Sequence, residues 1–214
     1  MKSRMAFVLC VVAVAFFAAP ALAAGPYVGG EAGAVFQSES SLSVAGLSVG
    51  DVKFKTGYGL GLVGGFDFGT WRAEGEFAWR KNDIKEISFG GVTDPLDGES
   101  TSMALMANGY YDFRMVSPTF VPYVGGGLGF ARVSAEVVDP TVGGGTVIDD
   151  SDMVFAYQFA AGVGIVLNPQ VTIDLGYKYF ATTDPEFEII GAGGIKGEAE
   201  YSSHNIFLGA RYSF

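Results

Sequence analysis

The segment WRAEGEFAWRK, residues 71–81, alternates between two kinds of side chain. One face carries Trp71, Ala73, Gly75, Phe77 and Trp79, and the other carries Arg72, Glu74, Glu76 and Arg80. A period of two is typical of a β-strand, in which successive side chains point to opposite faces of the sheet. The segment therefore predicts a strand with one face of rings and small residues and one face of ion-pairable charges.

The same alternation recurs along the chain and predicts eight strands. They cover residues 26–36, 55–68, 71–81, 101–113, 120–132, 153–167, 171–180 and 201–214. A tilted strand crosses a membrane with about 9–11 residues. A soluble β-sandwich packs its apolar faces inside and turns its charged faces to water. In this chain, seven of the eight strands carry ion-pairable charges opposite aromatic rings and aliphatic side chains, which fits an inverted barrel better. We predict an all-β fold, an eight-stranded antiparallel transmembrane up-and-down β-barrel with lipid outside and polar groups inside.

The connections between these strands alternate in length. Short links lie around residues 69–70, 115–119 and 168–169, and long ones cover 37–54, 82–100, 133–152 and 182–200. Short periplasmic turns and long extracellular loops are the outer-membrane pattern. The pattern places both chain ends on the periplasmic side and four loops outside the cell.

Charge is distributed unevenly between loops and barrel. The chain carries 23 acidic and 13 basic residues, a net charge of −10, which argues against a nucleic-acid partner. The four long loops contain 17 of the acids and only three bases. The acidity is therefore a property of the predicted outer surface, where partners are normally met.

The first 23 residues predict a cleaved signal peptide. Lys2 and Arg4 precede the apolar run 5–19, Pro20 interrupts it, and Ala21-Leu22-Ala23 fits a signal-peptidase site. We therefore expect export and a single barrel domain over residues 24–214. Cys10 is the only cysteine, so the expected mature chain has no disulfide.

Strand parity points twelve charged side chains into the barrel. They are Glu31, Lys55, Asp67, Arg72, Glu74, Glu76, Arg80, Asp112, Arg114, Asp174, Lys178 and Arg211. An eight-stranded barrel is just wide enough for side chains to fill it, and buried charges persist when they are paired. The set predicts a structural ion network. A narrow ion path and a route for hydrophobic solutes through the wall remain alternatives, and no cofactor or metal is expected.

The last strand completes a familiar pattern. Its lipid-facing residues are Ile206, Leu208, Ala210, Tyr212 and the terminal Phe214. With the signal segment, eight strands and four long loops, the chain resembles the small outer-membrane β-barrels of the OmpA, OmpX and Opa type, also called porin-family or surface-antigen barrels. The resemblance implies a location in the outer membrane after export to the periplasm. It also implies insertion by the barrel-assembly machinery, which recognises a last strand ending in an aromatic residue.

Two basic residues have lipid-facing parity. Lys81 and Arg132 lie at the loop ends of their strands, where long cationic side chains can reach the headgroup layer. They predict either contact with lipopolysaccharide phosphates or simple interfacial anchoring.

One histidine raises an enzymatic alternative. Glu200, Ser202 and His204 share a parity on the lipid-facing side near the outer rim, where a lipid A-modifying enzyme would act. Residues 202–205 read Ser-Ser-His-Asn, which reverses the order of the His-x-Ser-Asn pattern of the barrel deacylases. We therefore expect a monomer without catalysis that stabilises the envelope and meets host or surface ligands through its loops.

Overall fold

The protein forms thirteen β-strands within the residues described by the computed structural model, which are 25–44, 47–89, 92–95, 97–139, 145–188 and 196–214. The strands are β1 Gly25–Gln37, β2 Ser40–Val44, β3 Leu47–Phe54, β4 Gly57–Asp67, β5 Trp71–Phe89, β6 Val92–Pro95, β7 Asp97–Asp112, β8 Phe120–Asp139, β9 Gly145–Val166, β10 Val171–Thr182, β11 Glu186–Glu188, β12 Lys196–Ala199 and β13 Ser202–Ser213. In these ranges, no helix is long and apolar enough to span a membrane. The predicted signal peptide lies outside the described residues.

Eight of the strands close into an antiparallel barrel. Each of β1, β4, β5, β7, β8, β9, β10 and β13 is hydrogen-bonded to two neighbours in the ring. The first and last strands close it, with pairs running from Tyr27 and Ser213 to Gln37 and Ser203. The predicted eight-stranded barrel is therefore confirmed. Closure leaves no free edge within the ring, which a strand structure in lipid requires.

The strands are strongly staggered around the barrel. One circuit of paired residues runs from Lys81 through Tyr58, Ala34, Ile206, Tyr177, Ala161, Val124 and Tyr111, and returns to β5 at Trp71. The circuit thus ends ten positions from its starting residue. A stagger of this kind requires strands tilted by about 35–45° from the barrel axis.

The two faces of the wall have opposite chemistry. Outward residues such as Leu62, Leu105 and Leu208 are more than half exposed, whereas the inward charges Arg72 and Glu76 are buried. A protein that folds in water buries its apolar face instead. The alternation read from residues 71–81 therefore positions a polar interior and an apolar belt for lipid.

The predicted long loops are largely β-structure, which corrects their description as loops. β5, β7, β8 and β9 all continue into them, and β8 stays paired with β9 up to Asp139 and Gly145. The short strands β11, β12, β2 and β3 form a ribbon that joins the outer part of β5, which also pairs with β6. The wall thus rises beyond the membrane as paired hairpins.

The short turn between β4 and β5 depends on one glycine. Gly69 has a φ of 91°, in the left-handed region where a side chain is strained. Its backbone N–H donates to Asp67 Oδ1 at 2.8 Å. The turn therefore sets the register with which Arg72 enters the barrel opposite Asp67.

Candidate functional site

The periplasmic end of the barrel interior is held by arginine–carboxylate pairs. Arg72 Nε lies 3.0 Å from both carboxylate oxygens of Asp112, and the two side chains are each 3% exposed. Arg211 binds Asp174 through two nitrogens, with Nε 2.5 Å from Oδ2 and Nη2 2.9 Å from Oδ1. Charge-assisted pairs of this geometry are among the strongest protein hydrogen bonds.

Two tyrosine rings complete this layer. The Arg72 guanidinium carbon lies 4.6 Å from the ring centroid of Tyr110 and 5.0 Å from that of Tyr123. These rings meet edge to face with their centroids 5.7 Å apart. A desolvated cation over aromatic faces gains about 2 kcal/mol or more. The rings thus fill the lumen and also stabilise the buried guanidinium.

The middle of the barrel interior is built around Lys178. Its ammonium lies 2.5 Å from Glu31 Oε1 and 3.0 Å from Glu76 Oε1. The second oxygen of Glu76 accepts hydrogen bonds from Asn108 Nδ2 and Gln158 Nε2, both at 2.7 Å. Five strands contribute to this cluster, so it ties opposite sides of the wall together.

A third carboxylate of the interior, Glu74, has a neutral partner. The Tyr27 hydroxyl donates to Glu74 Oε2 at 2.9 Å, and both residues are buried. The hydrogen bond compensates part of the cost of burying the carboxylate.

Glycines opposite these long side chains provide the space that they occupy. A Cβ atom at Gly61 would lie 2.7 Å from Glu31 Cγ, and one at Gly125 would lie 2.3 Å from Tyr110 Cδ1. Real Cβ atoms do not approach other atoms this closely. The glycine content of the chain is therefore partly explained by the size of the interior side chains.

The outer end of the lumen is closed by apolar packing. Phe180 and Tyr201 meet edge to face at 6.0 Å and pack with Met106, Val133 and Val154. The Arg80 guanidinium carbon lies 4.1 Å from the Phe180 ring centroid, below this cap. An ion that entered from the periplasmic side would meet the charged layers first and then this apolar layer.

Two small cavities lie inside the lumen. One cavity beside Glu31, Arg72 and Asp174 has a volume of about 20 Å³, and one beside Arg80, Lys178 and Asn205 has about 30 Å³. A single water needs about 10–15 Å³ on this scale. The two cavities thus have room for isolated waters and not for a continuous column.

The structure brings most of the predicted interior residues together. Arg72, Asp112, Asp174 and Arg211 pair in the periplasmic layer, and Glu31, Glu74, Glu76, Arg80 and Lys178 lie in the middle. Arg114 pairs with Asp67 and, at 3.4 Å, with Asp112, but its side chain is 47% exposed, so this pair lies at the periplasmic mouth. The placement of Lys55 inside the barrel was wrong. Lys55 is exposed and precedes Gly57, where β4 begins, so strand parity does not apply to it.

The charge-based prediction missed the neutral members of the network. Tyr27, Asn108, Tyr110, Tyr123 and Gln158 are buried and contact the charged groups. All five have inward parity in the predicted strands. Applying the same parity to neutral polar and aromatic residues would have found them.

The two outer basic residues have local partners. Lys81 forms an ion pair with Glu99 on the neighbouring strand. Arg132 is exposed and donates from Nη2 to Ser151 Oγ at 2.8 Å. Both cations are held at the wall and remain partly accessible from outside.

The histidine is part of an aromatic group on the outer wall. His204 Nδ1 lies 2.6 Å from the Tyr177 hydroxyl, and the Tyr179 ring centroid lies 5.3 Å from that of His204. Ser202 shares the parity of His204 along β13, as predicted, but it is buried, unlike the exposed His204. Glu200 is exposed, and its backbone carbonyl accepts a hydrogen bond from Ser40. The contacts of His204 with Tyr177 and Tyr179 are typical of an aromatic girdle at the membrane interface.

The last strand presents the expected outward face. Ile206, Leu208, Ala210, Tyr212 and Phe214 are all exposed along β13 and at its end. The Phe214 ring meets the Tyr212 ring edge to face at 5.4 Å, and its N–H donates to Pro26 O at 3.1 Å. The terminal residue is therefore fixed against the first strand.

Comparison with protein families matches the chain to one model over nearly its whole length. The model describes an outer membrane protein beta-barrel domain and matches residues 9–214. An uncharacterized protein of Brucella abortus is 31% identical over 134 residues, which are 51% of this chain and 46% of that protein. The chain thus spans about half the length of the first curated relatives that it matches.

Other relatives and solved structures share the architecture more completely. Opacity protein opA57 of Neisseria gonorrhoeae is 27% identical over 194 residues, covering 70% of this chain and 76% of that protein. OprG from Pseudomonas aeruginosa superposes with a TM-score of 0.65 at 16% identity, covering 89% and 96% of the two chains. Neisserial surface protein A gives a TM-score of 0.53 at 20% identity, covering 90% and 100%. At these identities the two structures show a common fold.

Proposed function

Because the chain belongs to the family of outer membrane protein beta-barrel domains, we propose that it is a non-conducting, non-enzymatic scaffold. In this role the barrel anchors four acidic hairpins at the cell surface, where they bind partners and stabilise the envelope. The protein itself is an outer-membrane β-barrel. The scaffold role rests chiefly on one observation, the filled interior.

The contents of the lumen support a barrel that does not conduct. Buried ion pairs fill the periplasmic and middle layers, and the cap formed by Phe180 and Tyr201 follows toward the outside. A selective pore instead needs binding sites that an ion can enter and leave. Here Lys178 and Arg72 are each neutralised by a fixed carboxylate, so opening a path would require several ion pairs to break together.

The hydrogen bonding of the wall supports a closed barrel and argues against a lateral route for hydrophobic solutes. β1 is hydrogen-bonded to β4 from Gly25 to Val35 and to β13 from Tyr27 to Gln37. A lateral opening would leave these backbone groups without partners in lipid, where each costs several kcal/mol.

The projecting hairpins support a role in surface interaction. Asp51, Asp83, Asp184 and Glu200 are exposed on the outer part of the chain. An excess of acid on paired, projecting strands favours partners with a basic surface and raises their association rate at low salt. We propose host-cell or matrix proteins as such partners, with the protein acting as a monomer.

Lys81 and Arg132 suit a contact with lipopolysaccharide phosphates. Lys81 pairs with Thr101, and Thr101 pairs with Ser134, which is two residues from Arg132. Because the strands are tilted, two residues at equal height on neighbouring strands are offset from the paired positions by slightly more than one residue. Over the two steps from β5 to β8, this offset brings Lys81 and Arg132 to nearly equal heights on the outer wall. A phosphorylated headgroup at that level would meet both of them.

Planar-bilayer recording tests the non-conducting scaffold. We expect no steady, reproducible conductance from the purified protein. A variant that opens the middle layer, Lys178→Ala with Glu76→Ala and Arg80→Ala, serves as the positive control if it stays folded. Reproducible single-channel steps from the unaltered protein would overturn the proposal.

Mass spectrometry of lipid A from expressing cells tests the proposed absence of catalysis. Loss of an acyl chain that depends on His204 would contradict it.

A further inference from the structure

A groove runs along the lipid-facing side of β1. Its floor consists of Gly30 and Ala32, the outward residues at the middle of that strand. The larger side chains around it are Leu60, Leu62, Phe77, Trp79, Ile173 and Leu208. The groove has a volume of about 750 Å³, within the range of about 300–1,000 Å³ that is typical of small-molecule sites.

The groove arises from a local change in side-chain size. The outward positions of β4 beside it carry Leu60 and Leu62, and β13 on the other side carries Leu208. These leucines are more than half exposed and stand above the small residues of β1. A chain lying in the groove would therefore be contacted from the floor and both sides, whereas a chain on a level wall is contacted from one side only.

The outer end of the groove carries a cation. Trp79 lines the groove, and Lys81 is the next outward residue of β5 toward the cell surface. The Tyr58 ring meets the Trp79 ring edge to face at 5.5 Å, and Tyr58 is paired with Lys81 across the strands. Aromatic rings at this position mark the boundary between hydrocarbon and headgroups. The apolar floor thus continues into a rim that carries the Lys81 ammonium, which is paired with Glu99.

We propose that this groove binds one acyl chain of an outer-leaflet lipid whose phosphorylated headgroup lies against Lys81. The apolar walls match an acyl chain, and the Lys81 ammonium matches a phosphate at the level where the chain leaves the groove. The assignment goes beyond the scaffold role, because it gives the barrel a preferred lipid at a defined place on its wall. It does not depend on whether the lumen conducts.

Trp79 provides a reporter for occupancy of the groove. The protein contains two tryptophans, so Trp71→Phe leaves Trp79 as the single fluorophore. This variant is placed in vesicles of phosphatidylcholine with brominated chains, which quench a nearby indole. Unbrominated lipid A with two phosphates then replaces part of the brominated lipid. We expect Trp79 fluorescence to recover with at least a threefold preference over the bulk mole fraction of lipid A.

Two glycine substitutions separate the groove from the general lipid surface. Gly30→Leu fills the floor, and its Cβ would meet only ordinary contacts of 3.6 and 3.9 Å, so the barrel should fold. Gly109→Leu adds the same side chain on the lipid-facing side of β7, where the Cβ meets nothing within 4 Å. In the Trp71→Phe background, Gly30→Leu should abolish the preference for lipid A and Gly109→Leu should leave it intact.

Lys81→Gln tests the headgroup contact. It should reduce the threefold preference to the bulk ratio, while quenching by brominated chains in the absence of lipid A stays unchanged. Heat-modified mobility on gels verifies folding of every variant, and Ala32→Leu replaces Gly30→Leu if the latter fails to fold. Recovery that follows the bulk mole fraction in the Trp71→Phe protein, or a preference that survives filling of the groove, would overturn the inference. Either result would leave the non-conducting scaffold untouched.

Discussion

Lys178 on β10 and Glu76 on β5 hold their charged groups 3.0 Å apart inside the barrel, with side chains 3% and 0% exposed. They come from strands on different sides of the wall. Their contact therefore crosses the lumen, and it links the stability of the barrel to the blocking of its axis.

Loss of the Lys178 ammonium should destabilise the barrel strongly. Lys178→Met leaves Glu31 and Glu76 without their shared cation, and we expect the free energy of unfolding to fall by about 3–5 kcal/mol. Urea unfolding in lipid vesicles, followed by gel mobility, measures this. Adding Glu31→Gln and Glu76→Gln should recover part of the loss. Lys85→Met, at an exposed base, is the control and should change little. An equal loss from both lysine substitutions would contradict the network.

A side chain at Gly125 should disrupt the tyrosine layer. Gly125→Val places a Cβ 2.3 Å from the Tyr110 ring and 2.5 Å from a backbone oxygen. Overpacking of this kind costs about 1–3 kcal/mol or more, because the backbone cannot yield easily. Gly109→Val on the lipid-facing side is the matched control and should unfold at the same urea concentration as the unaltered protein. Similar midpoints for both variants would show that the interior is loosely packed.

Removal of Phe214 should impair insertion into the outer membrane. The deletion removes an exposed ring beside Tyr212 and the hydrogen bond to Pro26. It also removes the terminal aromatic residue that we predict the assembly machinery to recognise. Surface labelling of cells at high expression should show several-fold less protein, whereas Phe214→Tyr should insert normally. Normal surface levels after deletion would count against this role of the last residue.

Removal of both outer cations should reduce retention of lipopolysaccharide. Lys81→Ala with Arg132→Ala eliminates two charges at nearly the same level of the wall. Each such charge is worth about 1 kcal/mol near an anionic membrane surface, so we expect a several-fold drop in lipopolysaccharide that co-purifies. Lys53, a partly exposed base that pairs with Glu39 and Glu86, provides the control, as Lys53→Ala. Unchanged retention in the double variant would leave interfacial anchoring as their role.

Shortening the β8–β9 hairpin should separate surface binding from the barrel. Replacing residues 135–150 by Asn-Gly keeps the pair between Ser134 and Ser151 and supplies a turn that suits a hairpin. We expect insertion to stay normal and binding to host cells or matrix proteins to fall. The same truncation applied to the β5–β7 hairpin extends the test. Binding that persists after both truncations would refute the role of the hairpins.

Strand parity explains why much of the interior was predictable from the sequence. Within a strand, a period of two fixes which face each residue takes, so Arg72, Glu76 and Lys178 were assigned correctly without knowledge of their partners. The rule fails where a strand does not exist. The predicted strand 55–68 includes Lys55, but β4 begins at Gly57, two residues later.

The loops were mispredicted for a different reason. Residues 82–89 contain Asp83, Lys85 and Glu86, a composition that suggests a solvated loop. They form strand because they pair with β3 along one edge, and along the other edge with β7 and then with β6. Strand formation depends on such partners more than on local propensity, and the partners are distant in sequence. The pairings of Gln158 with Glu76 and of Tyr110 with Arg72 depend on the same long-range register.

The pairing of β1 with β13 has a consequence for the order of folding. The Tyr27–Ser213 pair joins residues from opposite ends of the described chain, whereas every other neighbouring pair in the ring is closer in sequence. Contacts of such separation form late, since closing the intervening loop is entropically costly until the other strands are ordered. Hairpins from β4 to β10 can assemble first as an open sheet. We infer that the ring closes last at β1 and β13, so the chain remains exposed to misassembly until its final strand is in place.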